Sequence, residues 1–219
     1  MAFPNRYVAG QWLASKLQNY RNRSDAIVLA LPRGGVPVGY EVAQGLNAPL
    51  DVFIVRKLGV PGHEELAMGA IASGGVRLLN QNVIEMFRIP TGLIEMTTAG
   101  EQRELERQER EYREGRPPLD VQGRTVILVD DGLATGASMH VAVAALKQKK
   151  PAHIVVAVPV AAQETCSEFD GEVDEVVCAV TPEPFWSVGQ WYDDFSQVSD
   201  EEVRDLLRRA ANLPVPKAA

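Results

Sequence analysis

Two adjacent acids, Asp130 and Asp131, follow a run of four apolar residues, 126–129, and precede a loop of small residues. The seven loop residues are Gly132, Leu133, Ala134, Thr135, Gly136, Ala137 and Ser138. Because most of these side chains are small, the backbone N–H groups can face a ligand directly. The two hydroxyls and the start of a following helix also favour a bound anion. This loop is therefore predicted to bind a monophosphate.

The two carboxylates would be repelled by a phosphate beside them, so they are expected to face hydrogen-bond donors. Two vicinal hydroxyls of a ribose satisfy this requirement. A phosphorylated ribose therefore fits the whole stretch from 126 to 138. The alternative is an ordinary turn between a strand and a helix, in which one Asp caps the helix.

Such a site needs a scaffold that places polar residues at the ends of strands. Short runs rich in Val and Ile alternate with helical patterns along the chain. The predicted strands are 26–31, 51–56, 126–129, 153–158 and 173–180, the predicted helices include 36–45 and 138–148, and a hairpin is predicted at 67–79. Strands that are apolar on both faces and separated by helices predict a parallel sheet in a doubly wound α/β fold. Ligands of this fold bind at the carboxyl ends of the strands.

The composition limits the classes of function. The chain has 219 residues, 46% of them apolar, and a net charge of −7. These values favour one globular domain and argue against a nucleic-acid-binding surface. No signal-like segment is present at the N-terminus, and the longest apolar run is too short to span a membrane. Cys166 and Cys178 have no metal-binding spacing, so we expect thiols in a reducing compartment and a cytoplasmic protein.

Residues 101–116 interrupt the alternating pattern with six Glu and five Arg. Two pairs have the four-residue spacing of helical ion pairs, Glu106 with Arg110 and Glu109 with Arg113. The pattern favours a solvated helix, and a partner-binding helix is the alternative.

The stretch 126–138 resembles the phosphoribosyl-diphosphate-binding motif of type I phosphoribosyltransferases. Gly132 departs from the family, which usually has an apolar residue there, and we expect it to loosen the loop. Ala134 stands where some purine-using members have an acid, so the loop is more similar to adenine-type members. The resemblance covers about 26–180 at the level of the fold. It implies a single domain, 1–219, with a core at about 24–180 and a small hood formed by the chain ends, 1–23 and 181–219.

The same resemblance implies two segments that contact one diphosphate. The loop LPRGG, residues 31–35, follows the first core strand, where family members bind diphosphate. Arg33 can donate a forked pair of hydrogen bonds, and Gly34 and Gly35 permit a close approach of the backbone. A cis peptide is expected between Arg33 and Gly34, and a turn with positive φ is the alternative. Lys57, after the second predicted strand, is expected to supply a further cation.

The remaining expectations concern a lid and the acceptor. The Gly- and Pro-containing region after Lys57 is expected to form a mobile lid in which His63 and Glu64 contact the reacting groups, although such residues are often only solvated. The tail 181–197 contains five of the fourteen aromatic residues of the chain. Trp186, Trp191 and Tyr192 are expected to stack on a planar acceptor, and the alternative is that they only anchor the tail.

The resemblance implies transfer of a phosphoribosyl group from 5-phosphoribosyl 1-diphosphate to a nitrogen acceptor, such as a nucleobase, with release of diphosphate. Asp130, Asp131, Arg33 and Lys57 would be the catalytic residues, and Mg²⁺ would bind mainly through substrate oxygens, with no protein ligand assigned. The arrangement is similar to a branch of predicted members whose acceptor is unassigned. A homodimer is possible in such a family, and neither nucleic acid nor membrane is an expected partner. A sensor without chemistry and a hydrolase that uses water are the alternatives.

Overall fold

The computed structural model describes residues 2–213, without the side chains of residues 64 and 65. The helices are α1 (Arg6–Lys16), α2 (Gly35–Leu46), α3 (Gln81–Met86), α4 (Thr91–Arg113), α5 (Ala137–Gln148), α6 (Gln163–Ser167) and α7 (Asp200–Ala210). The strands are β1 (Ala26–Ala30), β2 (Leu50–Val52), β3 (Val55–Val60), β4 (His63–Ala72), β5 (Val76–Leu79), β6 (Thr125–Val129), β7 (His153–Val160) and β8 (Glu175–Val180). Across residues 2–213, no helix is both long and apolar enough to cross a membrane.

The main sheet has five parallel strands in the order β2-β1-β6-β7-β8. Every residue of β1 and β6 is buried, because helices cover both faces of the sheet. Ala30 is in register with Val52 on one side and with Val129 on the other, so the carboxyl ends of β1, β2 and β6 lie together. This architecture confirms the predicted doubly wound α/β fold.

A second, antiparallel sheet has the order β3-β4-β5. The predicted strand 51–56 is therefore wrong, because it is divided between β2 of the main sheet and β3 of this one. Phe53 and Ile54 make the transition, and both are buried, in two different apolar clusters. The predicted hairpin is confirmed as β4 and β5, which turn at Gly74 and Gly75 with φ of +82° and +80°.

The charged segment forms the second half of α4. The expected ion pair between Glu109 and Arg113 is present at 3.0 Å. However, Arg113 is buried, and its Nε donates to both carboxylate oxygens of Asp51, at 2.9 and 3.1 Å. Leu105 and Tyr112 are also buried, since α4 packs on β3 and α7. The interpretation as a solvated helix is wrong for this inner face.

The two ends of the chain meet beside the main sheet. The Phe3 N–H donates to the carbonyl oxygen of Trp191 at 2.7 Å, and the Asp193 N–H donates to the carbonyl oxygen of Phe3 at 2.8 Å. In addition, α1 and α7 both pack on α2. Residues nearly 190 positions apart in sequence are thus held side by side.

The prediction of two thiols is wrong. Cys166 in α6 and Cys178 in β8 form a disulfide. The short helix α6 lies between β7 and β8 in the chain, and Cys166 is in its C-terminal half. The bond therefore ties α6 to the edge of the main sheet.

Candidate functional site

The two acids stand directly after β6, at the carboxyl edge of the main sheet. Oδ1 of Asp130 accepts a hydrogen bond from the Asp131 N–H at 2.8 Å. Oδ2 of Asp131 accepts one from Nε of Arg6 at 2.8 Å. One oxygen of each carboxylate is thus held by the protein, and the other oxygens, Oδ2 of Asp130 and Oδ1 of Asp131, are oriented by these bonds.

Burial makes ionisation of this pair costly. It raises the pKa of Asp130 well above the usual value, and the neighbouring charge of Asp131 raises it further. Burial also raises the pKa of Asp131, and the hydrogen bond and charge of Arg6 oppose this shift. A ligand that brings hydrogen-bond donors or a cation to the pair would stabilise its ionised form.

The loop after the acids surrounds a cavity. Its volume is about 200 Å³, and it is lined by Asp130, residues 132–139 and Val188. Thr135 and Ser138 are exposed, so their hydroxyls are accessible to a ligand. The N-cap of α5 is Gly136, with φ of +67°, and no side chain within residues 2–213 caps this helix terminus. The first N–H groups of α5 can therefore be satisfied by an anion.

Neighbouring segments hold this loop in place. The Leu133 N–H donates to the carbonyl oxygen of Val160 at 3.0 Å. The Thr165 hydroxyl in α6 donates to the carbonyl oxygen of Ala134 at 2.8 Å. A Cβ on Gly132 would lie 2.6 Å from Cγ1 of Val188 and 2.9 Å from the Val160 carbonyl oxygen. Gly132 therefore permits close packing of the tail and does not loosen the loop as expected.

The loop between β1 and α2 lies against the acids. A Cβ on Gly34 would collide with Oδ2 of Asp131, and one on Gly35 would lie 2.9 Å from Cα of Asp130. The cis peptide is between Pro32 and Arg33, so its expected position one bond later is wrong. Gly34 already has helical dihedral angles, φ −59° and ψ −34°, as the N-cap of α2. The bend of the chain therefore precedes it, and the alternative of a positive φ at Gly34 is also wrong.

Arg33 projects from this loop toward Asp200, the first residue of α7. Its Nη1 lies 3.8 Å from Oδ1 of Asp200, and its side chain is 38% exposed. The same Asp200 oxygen accepts a hydrogen bond from the Tyr112 hydroxyl at 2.6 Å. Asp200 is thus held by a buried partner, whereas Arg33 remains accessible to a diphosphate.

Lys57 and His63 lie in the second sheet. Lys57 is exposed and pairs with Ala70 across the β3–β4 ladder. Its neighbours Arg56 and Leu58 point to the opposite face, where Nε of Arg56 donates to Glu101 of α4 at 2.6 Å. Lys57 therefore shares its face with Val55, which packs against the cluster that contains α5 residues.

The region expected to form a lid is a hairpin whose strand pairing shifts register on both sides of Gly59. β3 and β4 join at 61–62, where Gly62 has φ of +82°. His63 is exposed at this turn, with its ring 6.0 Å from that of Phe87. Glu64 belongs to β4, but its side chain lies outside the described part of the structure.

The comparisons with known proteins agree with this geometry. A family model described as "Phosphoribosyl transferase domain" matches residues 3–194. The chain belongs to this family. The resemblance inferred from the motif is thereby confirmed, and the family is one of transferases.

Individual relatives of this phosphoribosyl transferase domain extend the agreement. A candidate phosphoribosyl transferase of Mycobacterium tuberculosis, Rv0571c, is 43% identical over 208 residues, which are 95% of this chain and 47% of that protein. The chain thus spans about half the length of this curated relative. The crystal structure of TT1426 from Thermus thermophilus is 40% identical, with a TM-score of 0.82 over 95% of this chain and 99% of that one. The "Bifunctional protein PyrR" of Chloroflexus aurantiacus is 33% identical over 129 residues, 58% of this chain and 65% of that protein.

The aromatic residues of the tail differ in their surroundings. Trp186 is 81% exposed. Trp191 is half-buried, and its Nε1 is a buried donor without a partner in the described part of the chain. Tyr192 is buried, and its hydroxyl donates to the carbonyl oxygen of Asp131 at 2.6 Å. Tyr192 thus supports the acid pair, while Trp186 is accessible to a ligand.

Arg6 is the main site residue that the sequence did not indicate. Its contact with Asp131 joins residues 125 positions apart, so no local spacing reveals it. A single Arg in a segment of mixed apolar and polar residues has no pattern of its own. Only the folded chain shows that it belongs to the site.

Proposed function

We propose that this protein transfers the phosphoribosyl group of 5-phosphoribosyl 1-diphosphate to a nitrogen nucleophile and releases diphosphate. The observation that carries the proposal is the contact between two loops at one sheet edge. The acids and the anion-binding loop follow β6, and Gly34 and Gly35 bring the Arg33 loop against those acids. Both ends of one sugar diphosphate can then be held at once.

The ribose and its 5-phosphate bind at the β6 edge. The phosphate occupies the cavity of residues 132–138 and accepts hydrogen bonds from backbone N–H groups and the Thr135 and Ser138 hydroxyls. The ribose hydroxyls donate to Oδ2 of Asp130 and Oδ1 of Asp131, since the other oxygens have protein partners. Binding energy at this end orients the sugar for reaction at its anomeric carbon.

The diphosphate binds at the loop 31–35. Arg33 donates to its oxygens, and Lys57 adds a second cation from the neighbouring sheet. Mg²⁺ fits this end of the site, because a cation beside the acid pair would offset the cost of ionising Asp130. When bound, the ion would neutralise charge on the departing diphosphate, and it would be held mainly by oxygens of the diphosphate and the ribose, with no protein ligand assigned.

The reaction breaks the bond between the anomeric carbon and diphosphate and forms a bond to the acceptor nitrogen, which then loses a proton. Positive charge develops on the ribose ring as the leaving group departs. The two carboxylates lie beside that charge, and Arg33 faces the opposite charge on the diphosphate. These residues stabilise both ends of the breaking bond.

The acceptor is a nucleobase or a related planar compound. Trp186 and Trp191 offer aromatic surface for stacking, while Tyr192 acts through Asp131. Ala134 cannot exchange a proton with a base, which distinguishes this loop from members with an acid there. The hairpin with His63 and Glu64 acts as the lid, and the chain ends act as a hood on a single cytoplasmic domain that can form a homodimer.

A calorimetric titration with phosphoribosyl diphosphate and Mg²⁺, followed by thermal melts, tests the proposal. At a ligand concentration about 100 times Kd, binding should stabilise the fold by about 2.7 kcal/mol. No response at millimolar ligand in either measurement contradicts the proposal. Diphosphate release without any acceptor would instead identify a hydrolase, and binding without turnover across nucleobases and small amines would identify a sensor.

A further inference from the structure

Arg6 is buried and is held in one orientation by hydrogen bonds to distant segments of the chain. It lies in the first turn of α1, whose N-cap Asn5 accepts a hydrogen bond from the Val8 N–H at 3.0 Å. Its Nε donates to Oδ2 of Asp131 at 2.8 Å, and its Nη1 donates to the carbonyl oxygen of Ser196 at 2.8 Å. Only 9% of the residue is exposed. Arginine is rarely this buried unless it is paired.

Aromatic rings from the tail complete this environment. The guanidinium carbon lies 4.0 Å from the centroid of Phe195 and 5.9 Å from that of Tyr192. A guanidinium on an aromatic face is stabilised by the charge distribution of the ring. The tail therefore orients Arg6 with the Nε–H directed at the acid pair.

Arg6 also reaches the loop that is proposed to bind diphosphate. A Cβ on Gly34 would lie 3.4 Å from Nε of Arg6 and would collide with the Asp131 carboxylate. The arginine, the glycine and the acid are thus packed together at one point. An arginine that only joined the two chain ends would not need to lie against both Gly34 and Asp131.

We infer that Arg6 is a positioning residue of the transfer site, which holds the Asp131 carboxylate turned so that its Oδ1 accepts a ribose hydroxyl. The inference rests on the proposed function. Arg6 acts on the substrate only through Asp131. The N-terminal helix therefore belongs to the ribose end of the site.

The charges around Asp131 support this role. In residues 2–213, the titratable groups that face it are Arg6 from α1, Asp130 beside it and Tyr192 from the tail. Burial raises the pKa of Asp131, and Arg6 is the cation that opposes this effect. Without Arg6, Asp131 would hold its proton to higher pH and would lose an acceptor for the ribose.

Two variants of Arg6 and one matched control test the inference. Arg6→Gln removes the charge, and Arg6→Lys keeps it without the fork. Arg23→Gln removes another Arg that pairs with an acid, Asp25, through Nε and Nη2 at 3.0 and 2.7 Å, at the amino edge of the sheet. The readouts are the affinity for phosphoribosyl diphosphate with Mg²⁺ across pH and a ¹³C NMR titration of the Asp131 carboxyl, assigned with Asp131→Asn.

Arg6→Gln should weaken binding at neutral pH by about tenfold, the loss of one charge-assisted hydrogen bond. The acid limb of the binding profile and the Asp131 titration should both move to higher pH, because the opposing cation is gone. Arg6→Lys should return the acid limb toward the wild-type position, and Arg23→Gln should change neither readout.

A loss of thermal stability in Arg6→Gln with an unchanged acid limb and an unchanged Asp131 titration would show that Arg6 only joins the chain ends. If Arg6→Gln does not fold, the wild-type titration decides, since a protonated Asp131 at neutral pH overturns the inference. Failure of wild-type protein to bind phosphoribosyl diphosphate would contradict the proposed function instead, and the NMR titration would still test the effect of Arg6 on Asp131.

Discussion

Replacing Tyr192 by Phe distinguishes support of the acid pair from recognition of the acceptor. Tyr192 is 6% exposed, and its hydroxyl donates to the carbonyl oxygen of Asp131 at 2.6 Å. The variant keeps the ring and its packing against Phe3 and Phe195, but it leaves that carbonyl without this donor. Leaving a buried polar group unsatisfied costs about 1–3 kcal/mol. For a chain of this length, Tm should fall by roughly 2–12 °C.

Tyr7→Phe provides the control, because the Tyr7 hydroxyl donates to a side chain, Oε1 of Glu202, at 2.9 Å, and both residues are only half-buried. Scanning calorimetry should show a smaller loss of Tm for this control than for Tyr192→Phe. Titration with ribose 5-phosphate should show weaker binding to Tyr192→Phe, since Asp131 loses a support. An unchanged Tm and unchanged ribose 5-phosphate affinity, together with weaker acceptor binding, would refute the supporting role.

Three further experiments test the site. Because burial raises the pKa of Asp130, stability should fall as pH rises from its usual pKa to the raised one. Asp130→Asn should therefore raise Tm at neutral pH in thermal melts while lowering turnover on the order of 10²-fold, and a lower Tm would contradict the assignment. In titrations, Arg33→Ala should weaken the binding of phosphoribosyl diphosphate and hardly change the binding of ribose 5-phosphate, whereas Thr135→Ala should weaken the binding of both ligands. If the two variants lose the same affinity for ribose 5-phosphate, the two loops are wrongly assigned. Gly34→Ala should abolish measurable binding in the same titration, because its Cβ would collide with the Asp131 carboxylate. The control Gly100→Ala should bind normally, since nothing lies within 4 Å of its Cβ. Normal binding by both variants would show that the close approach of Gly34 to Asp131 is unimportant.

The fold class and the loop of small residues around the cavity could be predicted because they depend on contiguous residues. All five residues of β6 are buried and four of them are apolar, and the small residues that line the cavity come directly after the two acids. The same holds for the turn at Gly74 and Gly75, where the chain needs positive φ. Local chemistry determines such features, so a sequence pattern is sufficient to indicate them.

Contacts between distant segments could not be predicted in this way. The run 51–56 has the composition of one strand, but Phe53 and Ile54 pack into different clusters and divide it between two sheets. The spacing of Cys166 and Cys178 indicates no partner, because their disulfide depends on how α6 packs against β8. Each of these outcomes is decided by tertiary packing.

The packing of the chain ends explains why the loop residues at the acid pair have small side chains. A side chain on Gly34 would displace the Asp131 carboxylate, which Arg6 holds, and a side chain on Gly132 would displace Val188 of the tail. The small residues therefore make room for protein segments as well as for a ligand. Because Arg6 reaches Asp131 from α1, substitutions in this helix should weaken binding of the ribose more than binding of the diphosphate.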